Sequence, residues 1–236
     1  MNNETILNKY FGHRNFRPGQ KEITECLSRG QDAFVLMQTG GGKSLCFQVP
    51  AIGKEGTCLV ISPLIALMND QVRGLKKAGV KAECLNSNLD YQEQKNIERQ
   101  LVNGELKFIY AAPERIVSES FFELLMQTNI SMVVVDEAHV VSEWGDGFRP
   151  AYILALQKLD ELNAHYKKIK RDPAYRLQRC AFSASIIEKA REDIIEKVGL
   201  YQHKQFIHSF ERPNIRLSVL AYDNVKEGKL DILIKK

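Results

Sequence analysis

Ala33-Phe34-Val35-Leu36-Met37 runs directly into Gln38-Thr39-Gly40-Gly41-Gly42-Lys43-Ser44, and a helical pattern follows. An unbroken apolar run of this length reads as a strand buried on both faces. Three glycines let the backbone wrap an anion with its N–H groups where side chains would collide. The next helix adds partial positive charge at its N-terminus. Strand, glycines and Lys-Ser together are the context of a phosphate-binding loop. Lys43 is placed to reach the β- and γ-phosphates of a nucleotide, and the Ser44 hydroxyl to sit on Mg²⁺. Thr39, Gly40, Gly41, Gly42, Lys43 and Ser44 are therefore candidate nucleotide-binding residues. Met37 stands where the generic motif begins with glycine, so a glycine-rich turn that happens to precede Lys-Ser is the competing reading.

Outward from this loop, short apolar runs alternate with amphipathic segments. Strands are predicted at 33–37, 57–61, 82–85, 107–111, 132–135 and 178–182. Helices are predicted at 43–51, 64–78, 91–103, 118–126, 153–164 and 187–198. In the last of these Ile187, Ala190, Ile194, Ile195 and Val198 share one face. Such alternation implies a mostly parallel sheet with helices on both faces. The basic run Lys167-Lys168-Ile169-Lys170-Arg171, just before Asp172-Pro173, reads as a loop after a helix. It is either a solvated turn or a phosphate-contacting loop.

The run Met132-Val133-Val134-Val135 ends in Asp136-Glu137-Ala138-His139. A buried strand ending in two carboxylates delivers both to the carboxyl edge of the sheet, where the phosphate loop also opens. Asp136 can hold the Mg²⁺ shell, Glu137 can orient an attacking water, and His139 can link this edge to a neighbour. A helix N-terminus with favourable acidic residues is the competing reading.

Composition limits the alternatives. The 236 residues suggest one large domain or two small ones. With 33 basic and 29 acidic residues the net charge is +4, which permits a nucleic-acid partner without demanding one. A hydrophobic share of 44% argues against a disordered or fibrous chain. No apolar run approaches the ~20 residues of a membrane span, and no secretory signal is visible at Met1-Asn2-Asn3-Glu4. Cys26, Cys46, Cys58, Cys84 and Cys180 are too widely spaced for a zinc or redox motif and read as reduced, mostly buried thiols. The expected location is cytoplasmic, nucleoid-associated in a bacterium or nuclear in a eukaryote.

With both motifs in hand, the chain resembles the first motor lobe of superfamily 2 helicases, and within them the RecQ family. The resemblance runs from about Tyr10 to Asn214. Met37-Gln38-Thr39-Gly40-Gly41-Gly42-Lys43-Ser44-Leu45-Cys46-Phe47-Gln48-Val49-Pro50-Ala51 is close to that family's first motif, in which a non-glycine at the first position is normal. Asp136-Glu137-Ala138-His139 matches its DEAH box. Phe11-Gly12-His13-Arg14-Asn15-Phe16-Arg17-Pro18-Gly19-Gln20 is similar to its adenine-recognising segment. There a Gln20 amide suits the adenine edge, and His13 and Arg17 suit its faces.

The remaining motifs follow the same resemblance. Ile61-Ser62-Pro63-Leu64-Ile65-Ala66-Leu67-Met68-Asn69-Asp70-Gln71-Val72 and Ala111-Ala112-Pro113-Glu114-Arg115 resemble segments that contact the phosphates of one DNA strand. Ser62, Pro63, Pro113 and Arg115 are the candidates, against ordinary strand-to-helix loops as the alternative. Val141-Ser142-Glu143-Trp144-Gly145-Asp146-Gly147-Phe148-Arg149-Pro150 resembles the family's aromatic-rich loop, with Trp144, Phe148 and Arg149 suited to stacking on bases and binding phosphate. Core packing of Trp144 and Phe148 is the alternative. The family commonly carries His-Asp where this chain has Asp146-Gly147. Phe182-Ser183-Ala184-Ser185 stands in place of a Thr-Ala-Thr motif, and Ser183 and Ser185 are expected to couple the acidic motif to the DNA side.

The resemblance implies a RecA-like P-loop NTPase domain over 1–212, with 213–236 leading toward a second RecA-like lobe. It implies ATP and Mg²⁺ as cofactors, and single-stranded or forked DNA as partner of a monomer. The reaction it implies is ATP hydrolysis coupled to movement along single-stranded DNA, with 3′-to-5′ polarity expected from the same resemblance. The arginine finger would come from the second lobe, so this chain alone is expected to bind nucleotide and turn it over slowly. A stand-alone ATP- and nucleic-acid-binding module and an RNA helicase are the alternatives.

Overall fold

The computed structural model describes residues 1–86, 89–142 and 150–208. The N-terminal elements are α1 (Asn3–Phe11) and α2 (Gln20–Ser28). Seven strands then carry the fold: β1 (Ala33–Leu36), β2 (Thr57–Ile61), β3 (Ala82–Leu85), β4 (Phe108–Ala111), β5 (Ile130–Val135), β6 (Arg179–Ser183) and β7 (Lys204–Ile207). Between them lie α3 (Lys43–Gly53), α4 (Ile65–Lys77), α5 (Tyr91–Val102), α6 (Pro113–Val117), α7 (Glu119–Gln127), a 3-10 turn (Ala138–Val141), α8 (Pro150–Lys170) and α9 (Glu188–Val198).

The strands form one sheet in the order β3-β4-β2-β5-β6-β1-β7, and every pairing is parallel. Successive strand residues point to opposite faces, and the two faces bury separate cores. On one side Phe34, Leu36, Leu59, Ile61, Val133, Val135 and Ala181 pack under α5 to α9. On the other side Ala33, Val35, Cys58, Val60, Val134, Cys180 and Phe182 pack under α2, α3 and α4. Burial on both faces explains why the strands read as unbroken apolar runs. α1 adds Ile6 and Leu7 against Val49 of α3. All five cysteines are buried and free. Among the described residues no helix is long and apolar enough to cross a membrane.

Several segments differ from the sequence reading. The basic run is helical: α8 continues to Lys170, and Arg171 turns out of it with φ of 52°. Lys167, Lys168 and Lys170 in the last turn complement the negative end of the helix dipole. Tyr166 anchors that end from below, its hydroxyl donating to Leu125 O at 3.0 Å and also reaching Thr128 O. β7 is a strand that its sequence, Lys204-Gln205-Phe206-Ile207, does not announce, because it is an exposed edge with one side paired to β1. α1, α2 and α6 add to the predicted helices; all three are short, and α2 buries Ile23, Cys26 and Leu27 at helical spacing. The stretch 213–236 and Trp144, Phe148 and Arg149 lie outside the described residues.

Candidate nucleotide site and nucleic-acid face

Parallel strands deliver all their carboxyl ends to one rim. Along that rim the neighbours are the ends of β4, β2, β5, β6 and β1. The glycine loop leaves β1, Asp136 and Glu137 leave β5, and Ser183 ends β6 between them.

The loop is held from both sides. Met37 N donates to Ser183 O at 3.0 Å, and Gly41 N donates to Gln38 O at 3.0 Å. Gly40 and Gly42 both have φ of +80°, a conformation that disfavours any residue with a Cβ. Gly42 caps α3, so the backbone N–H groups of the first helical turn open toward the loop. Gln20, the first residue of α2, is 1% exposed and folds over the loop. Its Nε2 donates to Gly41 O and Gly42 O at 3.2 Å each, and its Oε1 accepts from Arg17 N at 2.9 Å. A Cβ on Gly42 would lie 2.3 Å from that Nε2. Arg17 reaches Gly40 O through Nη1 at 2.9 Å. Arg17, Gln20 and the glycine loop are thus one bonded unit, and His13 is exposed. A cavity of about 370 Å³ opens next to it, lined by Arg14, Phe16, Arg17 and Lys21. Thr39 is exposed and Ser44 half-buried at the mouth of the loop.

Lys43 Nζ stands 3.5 Å from Glu137 Oε1, bridging the ends of β1 and β5. Glu137 Oε2 lies 3.3 Å from His139 Nδ1, and that nitrogen lies 3.4 Å from Ser183 Oγ. Ser183 Oγ donates to Ser185 O at 3.0 Å. Lys43, Glu137, His139 and Ser183 therefore form one continuous polar line along the rim. Glu137 sits in the left-handed region, φ 50° and ψ 44°, an unusual conformation for a residue with a side chain. It turns the chain sharply after β5 and aims the carboxylate back at Lys43.

Asp136 is 3% exposed. Burial pushes its carboxyl above the ordinary range, and the neighbouring Glu137 adds to this; Lys43, Gln71 and the Glu137 N–H act the other way. Its Oδ1 accepts from Glu137 N at 3.0 Å and its Oδ2 from Gln71 Nε2 at 3.1 Å. Gln71 is a site residue that no motif reading singled out. Gln71 Oε1 accepts from Tyr110 OH at 3.0 Å, and Tyr110 OH accepts from Gln48 Nε2 at 3.3 Å. No spacing rule finds this chain, because Gln48, Gln71, Tyr110 and Asp136 come from four different elements.

The donor set fits a hard cation. Mg²⁺ takes oxygen ligands and is usually held by one or two carboxylates plus phosphate oxygens rather than a protein cage. Asp136 and Ser44 offer such oxygens. Among the described residues no group of three or more His, Cys, Asp or Glu forms a cage of its own.

Ser62, Pro63, Pro113 and Arg115 gather along the outer part of the same rim, at the ends of β2 and β4. Ser62 is fully buried, its N–H donates to Ala111 O at 3.2 Å, and its hydroxyl has no partner among the described residues. Pro113 is buried and opens α6. Arg115 Nη2 pairs with Glu98 Oε1 at 3.1 Å, and its guanidinium lies 5.7 Å from the Phe121 ring centroid. A groove of about 450 Å³ runs beside them, lined by Ile65, Asn86, Ala112, Arg115 and Ser118.

Residues 17–194 match the model of the family described as DEAD/DEAH box helicase. The chain is 39% identical over 215 residues to an ATP-dependent DNA helicase RecQ of Haemophilus influenzae, covering 91% of this chain and 33% of that protein. It thus spans about a third of that relative's length. Among solved structures, the helicase MrfA bound to DNA superposes with a TM-score of 0.66 at 16% identity, over 87% of this chain and 29% of that one. The Hef helicase domain of Pyrococcus furiosus superposes with a TM-score of 0.59 at 18% identity, over 80% of this chain and 38% of that one. At such identities these two likenesses speak for the fold, which is that of helicase RecA-like domains.

Proposed function

The chain belongs to the DEAD/DEAH box helicase family, and from that premise we propose that it is the ATP-binding motor lobe of a RecQ-type DNA helicase. The observation that carries this reading is the Lys43–Glu137 contact of 3.5 Å, which brings the glycine loop and the acidic motif to one point on the rim. In the proposed mechanism the loop N–H groups and Lys43 bind the β- and γ-phosphates of ATP. Gln20, His13 and Arg17 recognise the adenine. Ser44 and Asp136 would hold Mg²⁺, which would supply charge neutralisation at the phosphates. Lys43 leaves Glu137 for the phosphates, and the freed Glu137 carboxylate orients the attacking water. His139, Ser183 and Ser185 link that carboxylate to the nucleic-acid side.

The proposal extends to the partners. Ser62, Pro63, Pro113, Arg115, Trp144, Phe148 and Arg149 track one strand of single-stranded or forked DNA, chiefly through its phosphates. The protein works as a monomer in DNA repair and recombination, moving 3′ to 5′. A second RecA-like lobe supplies the arginine finger, so the 236-residue chain binds nucleotide but hydrolyses it slowly. An organisation of 1–212 as motor lobe and 213–236 as connection follows from the same reading.

The test compares nucleotide affinity and turnover in the native chain, Lys43→Ala and Glu137→Gln, with single-stranded DNA and with single-stranded RNA. Lys43→Ala is expected to lose most ATP affinity. Glu137→Gln should keep the affinity and lower turnover by about 10²-fold or more. DNA should enhance binding or turnover more than RNA. Equal ATP affinity in Lys43→Ala and the native chain would overturn the site assignment.

A further inference from the structure

Gln48, Tyr110 and Gln71 form a hydrogen-bond chain that ends on Asp136, and neither the phosphate loop nor the acidic motif requires it. Gln48 lies on α3, the helix that leaves the glycine loop. Tyr110 lies on β4. Gln71 lies on α4, the helix that follows Ser62-Pro63-Leu64. Gln48 is 5% exposed, Tyr110 0% and Asp136 3%, and Gln71 between them is half-buried, so the chain runs mostly through the interior on the α3–α4 face of the sheet.

The donors all point the same way. Gln48 Nε2 donates to Tyr110 OH at 3.3 Å, Tyr110 OH donates to Gln71 Oε1 at 3.0 Å, and Gln71 Nε2 donates to Asp136 Oδ2 at 3.1 Å. Each donor polarises the next in a low-dielectric interior. A glutamine amide has two ends of opposite character, and rotation by half a turn would aim Oε1 at the carboxylate. The Tyr110 hydroxyl prevents this: its proton occupies Oε1 and leaves Nε2 facing Asp136. Burial keeps the Tyr110 hydroxyl protonated, and Gln48 fills its acceptor side, so that its proton is directed at Gln71.

The second Asp136 oxygen is fixed by the Glu137 N–H at 3.0 Å. Both oxygens are therefore oriented while each keeps a lone pair for a metal-bound water. From this geometry we propose that Gln71 is a positioning residue for Asp136, and that Tyr110 and Gln48 lock its amide in the donating orientation. The chain ties the metal carboxylate mechanically to α3 and to α4, the helix that begins at the proposed DNA-contacting segment. The inference rests on the reading of Asp136 as a Mg²⁺ holder.

The test uses Gln71→Met, which keeps length and volume but cannot donate, and Tyr110→Phe, which removes a single oxygen atom. The readout is Mn²⁺ affinity by electron paramagnetic resonance in the presence of a non-hydrolysable ATP analogue. Affinity of the analogue in EDTA is measured alongside. Groups that orient a metal ligand typically change metal affinity by 10–100-fold, so Gln71→Met is expected to weaken Mn²⁺ by about 10-fold or more. Tyr110→Phe should weaken it by roughly 3–10-fold. Both variants should keep native analogue affinity without metal, which a general loss of structure would not allow. Where Gln71→Met fails to fold, Tyr110→Phe alone decides. Mn²⁺ affinity within twofold of native in a folded variant overturns the positioning role. A native chain that binds the analogue but no Mn²⁺ with it overturns the reading of Asp136 itself, a different result from the former.

Discussion

Glu137 shows how much one residue's backbone can determine. Its left-handed conformation turns the chain after β5 so that the carboxylate meets Lys43 and His139. A residue with a Cβ adopts this conformation at a cost of about 1–2 kcal/mol, which glycine escapes. Glycine in turn loses roughly 0.5–1 kcal/mol of conformational entropy. Glu137→Gly is therefore expected to be at least as stable as Glu137→Ala, by about 0.5 kcal/mol. Thermal melts of the two variants check this, and a clearly less stable glycine variant would mean that the turn is unstrained. The residues that touch substrate in the proposed mechanism were largely legible in the sequence, because a phosphate loop and a metal carboxylate need fixed residue types at fixed spacing. The residues that hold them were not. Gln71 sits in a motif read for its DNA contacts, Gln48 in the motif read for its phosphate loop, and Tyr110 in a predicted strand. Only the packed fold shows that they meet. Arg115 is a similar case: its pairing with buried Glu98, 17 residues earlier in the chain, depends on how α5 packs.

Among the elements, β2 and β3 begin and end where hydrophobic runs predict, since buried parallel strands are written as such runs. α5 shows why some helix starts are equally plain. Asp90 accepts from Glu93 N at 2.8 Å and Glu93 Oε2 accepts from Asp90 N at 3.0 Å, a reciprocal cap written into four residues. β7 lacks any such signal, and a partner from elsewhere secures its approach. Asp32, just before β1, accepts from Arg179 N and Tyr201 N at 2.9 Å each. One carboxylate thus ties the entry of β6 and the loop before β7 to β1. Asp32→Ala orphans two backbone N–H groups, one of them buried, and is expected to cost about 2–4 kcal/mol. Asp32→Asn keeps one acceptor oxygen and should cost less. Urea denaturation of both variants reads the difference, and equal stability of Asp32→Ala and the native chain would show that water replaces the carboxylate.

At the scale of the whole molecule, the sheet buries thiols on the α2–α4 side, and this sets an alkaline limit. Burial pushes the thiols of Cys26, Cys84, Cys58 and Cys180 up from 9.0, and that of Cys46 to about 12. A raised folded value keeps the proton in the native state while the unfolded chain loses it. The associated stability is complete below pH 9 and is lost as pH climbs through the folded values. Lys54 and Lys107, which burial lowers, oppose this below 10.5, but they are two against five. Under reducing conditions the urea midpoint is expected to be lower at pH 10 than at pH 8, by at least about 1 kcal/mol in free energy. A midpoint that rises instead would mean that the lysines dominate. The same sheet order carries a consequence in time. β1 bears the phosphate loop, yet among the described residues its strand partners are β6 and β7, with Ala33 beside Cys180 and Lys204. Pairings so distant along the chain form late and slowly in folding. During synthesis β1 leaves the ribosome before β6 and β7 and then waits, without a strand on either side, until they emerge. Nucleotide affinity should accordingly appear with the slowest refolding phase, and stopped-flow refolding with a fluorescent ATP analogue would reveal an earlier onset if β1 organised the loop unaided.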